Sequence, residues 1–282
     1  MNKSFSTYET AWCPGCGNFS ILKCLKTALE ELGKDPHEVL IAAGIGQAAK
    51  TPQYISANTF CGLHGRSLPA ASAAKIANEG LTVIVNTGDG DSYGEGGNHF
   101  IHAIRRNVNI AHFVHDNQIY GLTKGQSSPT TALGHLTNAQ ADGNINHPLN
   151  PVLLALAAGA GFVARSFCGD HKHLTAMMKE AISYKGYALL DIFQNCVSFN
   201  KINTFRWYRD RVYYLEDDFD PSDRTQAMIR AMEFGDRIPI GVFFREDRPD
   251  YHEMNNILAG KEPLVDQTQD PKVLQELMME LV

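Results

Sequence analysis

Apolar positions recur at helical spacing from Asn18 to Leu32, where Asn18 is expected to cap the first turn and Gly33 to end the helix. The short apolar run at 39–43 then reads as a strand that ends in Gly44-Ile45-Gly46. Small residues dominate 68–78 (Pro69 and five alanines), a composition that suits a helix packed closely on a sheet. Strands follow near 82–86 and 109–115, with a helix expected from Tyr93 to Arg106 between them. Further along, strands near 161–166 and 188–193 flank a helix over 174–184 capped by Asp170, and one more strand is expected at 240–244. Strand and helix alternating in this way predict an α/β fold, a mostly parallel sheet with helices on both faces.

Two segments break the pattern. Residues 121–151 have no periodicity and are rich in Thr, Asn, Gly and Pro. A connection of that length is usually functional, and this one is expected to cover whatever binds beside it. After Asn200 the chain turns polar and aromatic, and 246–282 reads as an arm ending in an amphipathic helix over 272–281. The division is therefore an α/β domain over 1–250 and a C-terminal arm over 251–282, free to pack on its own domain or on a partner.

Bulk composition narrows the function. The chain has 282 residues, 44% hydrophobic and 20% charged, an ordinary globular balance. A net charge of −6 leaves no broad basic face for nucleic acid, and the 11 histidines are expected to add positive charge only in mild acid. No apolar run reaches the roughly 18 residues that would suggest a membrane span. The start, Met1 to Ser6, lacks the apolar core of a secretory signal, so a cytoplasmic location is expected. In that compartment the six cysteines (13, 16, 24, 61, 168 and 196) read as thiols or metal ligands rather than disulfides.

The candidate chemistry centres on two strand ends. Gly88-Asp89-Gly90-Asp91 closes one apolar run and Asp116-Asn117 closes the next. The carboxylate of Asp89 and the carboxamide of Asn117 thus fall at the C-terminal ends of strands, where open α/β sheets bind ligands. Hard oxygen donors held together suit Mg²⁺, which completes its octahedron with phosphate oxygens, and the glycines let backbone approach a diphosphate.

Together with Cys13-Pro14-Gly15-Cys16-Gly17, Gly44-Ile45-Gly46, His64-Gly65-Arg66, the run from Asn117 to Gln126, Gln194-Asn195-Cys196-Val197 with Asn200, and Pro239 to Arg248, these motifs resemble the thiamine-binding β subunit of the 2-oxoacid:ferredoxin oxidoreductases over about residues 10–250. The resemblance implies the thiamine diphosphate-binding fold, with Asp89, Asn117 and the Ile119 carbonyl on Mg²⁺. Gly88, Gly90, Asp91, Gly121, Leu122 and Thr123 would line the diphosphate. Ile45, Gly46, Gln47 and His64 would lie near the thiazolium, His64 as a proton shuttle. The implied reaction is oxidative decarboxylation of a 2-oxoacid to an acyl-coenzyme A, with electrons passed through iron–sulfur clusters to ferredoxin. Leu122–Gln126 and 238–245 lean toward the 2-oxoglutarate or broad 2-oxoacid branch. Lys50 and Lys124 are candidates for the substrate carboxylate, and Arg66 for a structural ion pair. A separate α subunit would supply the aminopyrimidine module, leaving this polypeptide without turnover alone.

Cys13, Cys16 and Cys196 resemble three of the four ligands of the family's four-iron–four-sulfur cluster. The usual fourth cysteine is replaced by Gln47. A cluster with a non-cysteine fourth ligand, a three-iron cluster, structural Zn²⁺ and no metal at all stay open, with Cys61 as a substitute ligand. A non-redox thiamine lyase and a non-catalytic subunit are the alternative readings. Cys168, His171 and His173 could mimic a metal trio, but Asp170 capping a helix is the simpler account. Cys24 is expected in the core.

Overall fold

In the computed structural model, residues 4–268 and 270–280 are described. Met1 to Lys3, part of the stretch read for a secretory signal, and Leu281, the expected end of the last helix, lie outside the described residues. In chain order the elements are α1 (Asn18–Glu31), β1 (Val39–Ala43), α2 (Thr51–Tyr54), β2 (Asn58–Cys61), α3 (Ser67–Ala77), β3 (Thr82–Gly88), α4 (Gly97–Arg106), β4 (Ile110–Asp116) and α5 (Pro151–Ala157). There follow β5 (Phe162–Phe167), α6 (His171–Ser183), β6 (Tyr187–Phe193), α7 (Phe205–Arg209), β7 (Val212–Tyr214), α8 (Arg224–Ala231), β8 (Ile238–Arg245), α9 (Tyr251–Met254) and α10 (Pro271–Met279). The eight strands form one sheet in the order β2-β1-β3-β4-β6-β5-β8-β7. Every pairing is parallel except β5 with β8.

Alternate side chains of the sheet feed two cores. Ile41, Ile84, Phe113 and Leu190 join the layer of α1 and α6, whereas Val83, Val85, Val114 and Leu189 join that of α3, α4, α5 and α8. The strands are therefore buried on both faces and read as continuous apolar runs. Chain order reverses between β1 and β3. That opens a crevice at the C-terminal edge between the loop after β1 and the loop after β3, the place where this architecture takes ligands.

Several expectations are corrected. Asn18 does not cap α1; Gly17 holds that position, and the buried Asn18 Oδ1 instead accepts from His115 Nδ1 at 2.8 Å. The helix expected from Tyr93 begins earlier, as a widened π turn over Gly90–Glu95 before α4. That turn sends Asp91, Ser92 and Tyr93 to three separate partners: the Ile45 and Gly65 amides, the Thr87 and His112 side chains, and Asp191. β2 and β7 were not expected; they are short edge strands without an alternating buried face. Among the described residues Arg66 has no carboxylate partner and instead meets His99 Nε2 at 3.1 Å. The arm packs on its own domain through Tyr251 N to Asn107 O and Val265 N to Ala77 O, while α10 is exposed along its length. The simpler account of Cys168, His171 and His173 holds: Asp170 caps α6 by accepting from the His173 amide, while His171 bonds Ser20 and His173 bonds Ser166.

His112 and His115 sit fully buried in β4, and burial holds both near a pKa of about 3, so neither charges in mild acid. His112 is saturated by Tyr187, Ser92 and Thr87 at 2.6, 2.8 and 3.0 Å. A histidine neutral in the fold but ionisable when unfolded favours folding above its free pKa near 6.5. That contribution is lost as pH falls toward 3. Replacing His112 by Gln should therefore flatten the pH dependence of unfolding free energy between pH 6 and 4 by up to about 1.4 kcal/mol per pH unit. Urea titrations across that range check this, and an unchanged slope would show that His112 does not carry the linkage.

Candidate active site

The site is assembled from strand ends. In the β3/β4 ladder Gly88 lies opposite His115, and in the β4/β6 ladder Asp116 lies opposite Phe193. Asp89, Asn117 and Gln194 therefore leave the sheet at neighbouring tips. Asn117 is steadied by an Asx turn in which its Oδ1 accepts the Ile119 amide at 3.0 Å, and Gln118 between them adopts φ 58°. Asn200 ties this turn down by donating to the Asn117 carbonyl at 3.0 Å.

One cleft at the chain reversal is lined by Ile45, Gly46, Gln47, His64, Gly88, Asp89, Gly90, Asp91, Asn117, Ile119, Gly121, Leu122 and Thr123, with Ala48 and Tyr120. Every residue expected at the cofactor thus meets in one place. Lys50 and Lys124 are not in its lining; Lys50 ends a short helical turn after Gln47, and Lys124 stands exposed with φ 77°.

Burial governs the electrostatics. Asp89 is 2% exposed, and burial pushes its carboxyl up to about 6 against hydrogen bonds from Ser128 and Thr130. Asp116 is raised well above the usual carboxylate range, first by burial and then by the charges of Asp191 and Asp89. The Thr130 hydroxyl lies 2.7 Å from Asp89 Oδ2 and 2.9 Å from Asp116 Oδ1. One hydroxyl proton cannot serve two carboxylates, so both contacts are hydrogen bonds only when one carboxyl is protonated. Deeper in, Asp191 faces Arg165 Nε at 3.5 Å and accepts from Tyr93 at 2.9 Å, and the guanidinium lies between the Phe193 and Phe243 rings. Three buried carboxylates thus share one buried cation. That excess of hard anionic oxygen at the cleft floor fits a divalent cation.

Asp91 braces the walls. Its Oδ1 accepts from the amides of Ile45 at 3.1 Å and Gly65 at 2.8 Å, tying the loop after β1 to the His64 turn. His64 Nδ1 lies 3.0 Å from the same carboxylate and 3.3 Å from Glu95, at ion-pair distance but not aligned for a hydrogen bond. His64 is one-third exposed, so its other face opens to the cleft. Thr130 and Tyr120 escaped the sequence reading. Thr130 lies in the aperiodic segment, where spacing gives no signal, and the role of Tyr120 depends on the packing of its ring against Gly90, which only the fold creates.

A second cavity adjoins the first. Cys13, Cys16 and Cys196 line it together with Trp12, Gln47, Asn117, Gly121, Gln194, Val197, Ser198 and Phe199. All six cysteines are free, and burial lifts the Cys16 thiol to about 11. Cys61 is exposed in β2 and is not among the residues lining this cavity.

Comparison with known proteins agrees with this geometry. Residues 38–192 match the model of the C-terminal, thiamine pyrophosphate-binding domain of thiamine pyrophosphate enzymes, and 196–259 match the C-terminal part of the pyruvate ferredoxin oxidoreductase β subunit. A 2-oxoacid:ferredoxin oxidoreductase β subunit of Saccharolobus solfataricus is 45% identical over 89% of this chain and 86% of its own. The 2-oxoglutarate oxidoreductase subunit KorB of Mycobacterium tuberculosis is 44% identical over 69% of this chain and 52% of its own. Among solved structures, the 2-oxoglutarate:ferredoxin oxidoreductase from Magnetococcus marinus with 2-oxoglutarate, coenzyme A and succinyl-CoA bound superposes with a TM-score of 0.90. It is 36% identical and covers 98% of this chain and 94% of that one.

The cleft floor makes a packing prediction. A Cβ on Gly90 would lie 2.0 Å from a ring carbon of Tyr120. Gly90→Ala should destabilise the chain by about 1–3 kcal/mol. Combining it with Tyr120→Leu should recover most of that loss, as a double-mutant cycle of thermal unfolding would show. Additive losses would mean that the two do not compete for the same space.

Proposed function

This chain belongs to the β subunits of the 2-oxoacid:ferredoxin oxidoreductases, and we propose that it forms the diphosphate-binding half of an active site that converts 2-oxoglutarate or a related 2-oxoacid to its acyl-coenzyme A and CO₂, with ferredoxin as electron acceptor. The observation that carries the reading is the single cleft at the chain reversal, into which all the expected cofactor residues converge. Bound thiamine diphosphate supplies the electron sink that lets a 2-oxoacid lose CO₂.

The protein's part is positioning. Asp89, Asn117 and the Ile119 carbonyl would hold Mg²⁺, a role for which the anionic surplus around Asp89 and Asp116 is suited. Gly88, Gly90 and Gly121 leave room for the diphosphate, and Leu122 and Thr123 close its other side. His64, oriented by Asp91 and Glu95 and open to the cleft, would move protons at the reacting carbon. Lys50 and Lys124, outside the lining, are our candidates for receiving the substrate carboxylate once a partner closes the site.

We read Cys13, Cys16 and Cys196 as ligands of an iron–sulfur cluster beside the cofactor. The three share a cavity, yet among the described residues the only trio of ligand atoms all within 4.8 Å of one another is that of Glu79, Asp250 and His252. Gln47, Asn117 and Gly121 line both cavities, which supports the reading of a cluster beside the cofactor. Exposed Ile45, Phe60, Leu63 and Leu122 form an apolar rim suited to an α subunit that carries the aminopyrimidine pocket. No helix among the described residues is long and apolar enough to cross a membrane, and six free thiols accord with the cytoplasm, to which we assign the enzyme.

The chain co-purified with its partner should release CO₂ from 2-oxoglutarate only with both coenzyme A and a low-potential viologen present, and the chain alone should show no turnover. Release without either addition would point to a lyase, and turnover by the isolated chain would contradict a shared site.

A further inference from the structure

We propose that the side-chain oxygen of Gln47 is the fourth protein ligand of the metal centre at Cys13, Cys16 and Cys196, so that one iron of the cluster is held by a neutral oxygen instead of a thiolate. The inference rests on the iron–sulfur reading above and assigns the ligand set within it. It starts from hydrogen-bond accounting in the cysteine cavity. Three carboxamide side chains line that space: Gln47, Asn117 and Gln194. Gln194 donates to Cys16 Sγ at 3.2 Å and accepts from Asn117 Nδ2 at 3.4 Å; Asn117 Oδ1 accepts the Ile119 amide. Gln47 Oε1 is buried and has no partner. A buried amide oxygen left bare is costly, and such an atom calls for a bound partner.

The surroundings indicate which partner. Cys196 Sγ and Gln47 Cγ both approach within 4 Å of the point where Gly121 would carry a Cβ, so sulfur and carboxamide face the same space. Trp12 Nε1 donates to the Gln47 backbone carbonyl at 2.8 Å and pins that residue at the cavity wall without engaging its side chain. Hydrogen bonds from Ser198 to Cys13 Sγ and from Gln194 to Cys16 Sγ turn two of the sulfurs into acceptors, as thiolates bound to metal are. Three sulfurs and a side chain with a free hard oxygen thus line one cavity, and among the described residues no fourth thiol lines it.

The chemical consequence is one exchangeable corner. An amide oxygen binds iron more weakly than a thiolate does, so the iron it holds is the first to leave. When ferricyanide takes one electron, the oxidised cubane loses that iron as Fe²⁺ and a three-iron cluster remains on the three thiolates; ferricyanide becomes ferrocyanide. Added Fe²⁺ with a reductant reverses the change.

The test uses the full chain co-purified with its partner and reconstituted anaerobically, as wild type, Gln47→Cys and Gln47→Leu, and it reads iron content and EPR. Wild type should hold about four irons at this site and fall to about three on ferricyanide treatment, with the EPR signal of the three-iron form. Gln47→Cys should keep about four under the same oxidant, and Gln47→Leu should be isolated already in the three-iron form. Equal retention of the fourth iron by wild type and Gln47→Leu would overturn the ligand assignment and leave the cluster standing. A wild-type chain whose three cysteines bind no iron, or bind zinc, would overturn the cluster reading and this inference with it.

Discussion

The parallel register between β3 and β4 is the constraint on which the site depends. Because Gly88 pairs with His115, Asp89 and Asn117 emerge side by side from a sheet edge that is dry beneath and open above. Around Asp89 lie more buried carboxylates than buried cations, with Arg165 set against Asp89, Asp116 and Asp191. Such an imbalance costs folding energy unless protons or a metal offset it. The surrounding loops are fastened to the same carboxylates. Thr130 folds the long segment after β4 onto Asp89 and Asp116, and Asp91 holds the loop after β1 against the His64 turn.

The central strands were legible because each is buried on both faces and carries an uninterrupted apolar run, and the strand-end motifs were legible because glycine and acid stand out against such runs. Edge strands β2 and β7 lack a buried face and left no pattern. Asn18 has the chemistry of a cap, yet a buried histidine in β4 needed an acceptor and took its oxygen. Arg66 found a histidine instead of a carboxylate. Thr130 acts through a fold-back across forty-one sequence positions from Asp89, a pairing that no local signal encodes. The π turn after Asp89 likewise answers to three partners that only the tertiary structure brings together.

Glutamine stands at position 47, where the resemblance implies a fourth cysteine, and the sequence alone leaves its consequence for a metal open. In the fold it places a bare oxygen in the wall between the cysteine cavity and the cofactor cleft, two spaces that share Gln47, Asn117 and Gly121. The cysteine cavity and the cofactor cleft are thus separated by a few side chains of one polypeptide. Exposed Ile45 and Leu122 leave apolar surface in the cleft lining itself.

The claim beneath all of this is that Asp89 and Asn117 grip one ion. Titrating Mn²⁺ by EPR into the two-subunit enzyme in the presence of thiamine diphosphate tests it most directly. Asp89→Ala and Asn117→Ala should each weaken Mn²⁺ binding by about tenfold or more, the equivalent of ~1.4 kcal/mol. If either variant binds Mn²⁺ as tightly as the wild type, the two residues do not share the metal and the account fails.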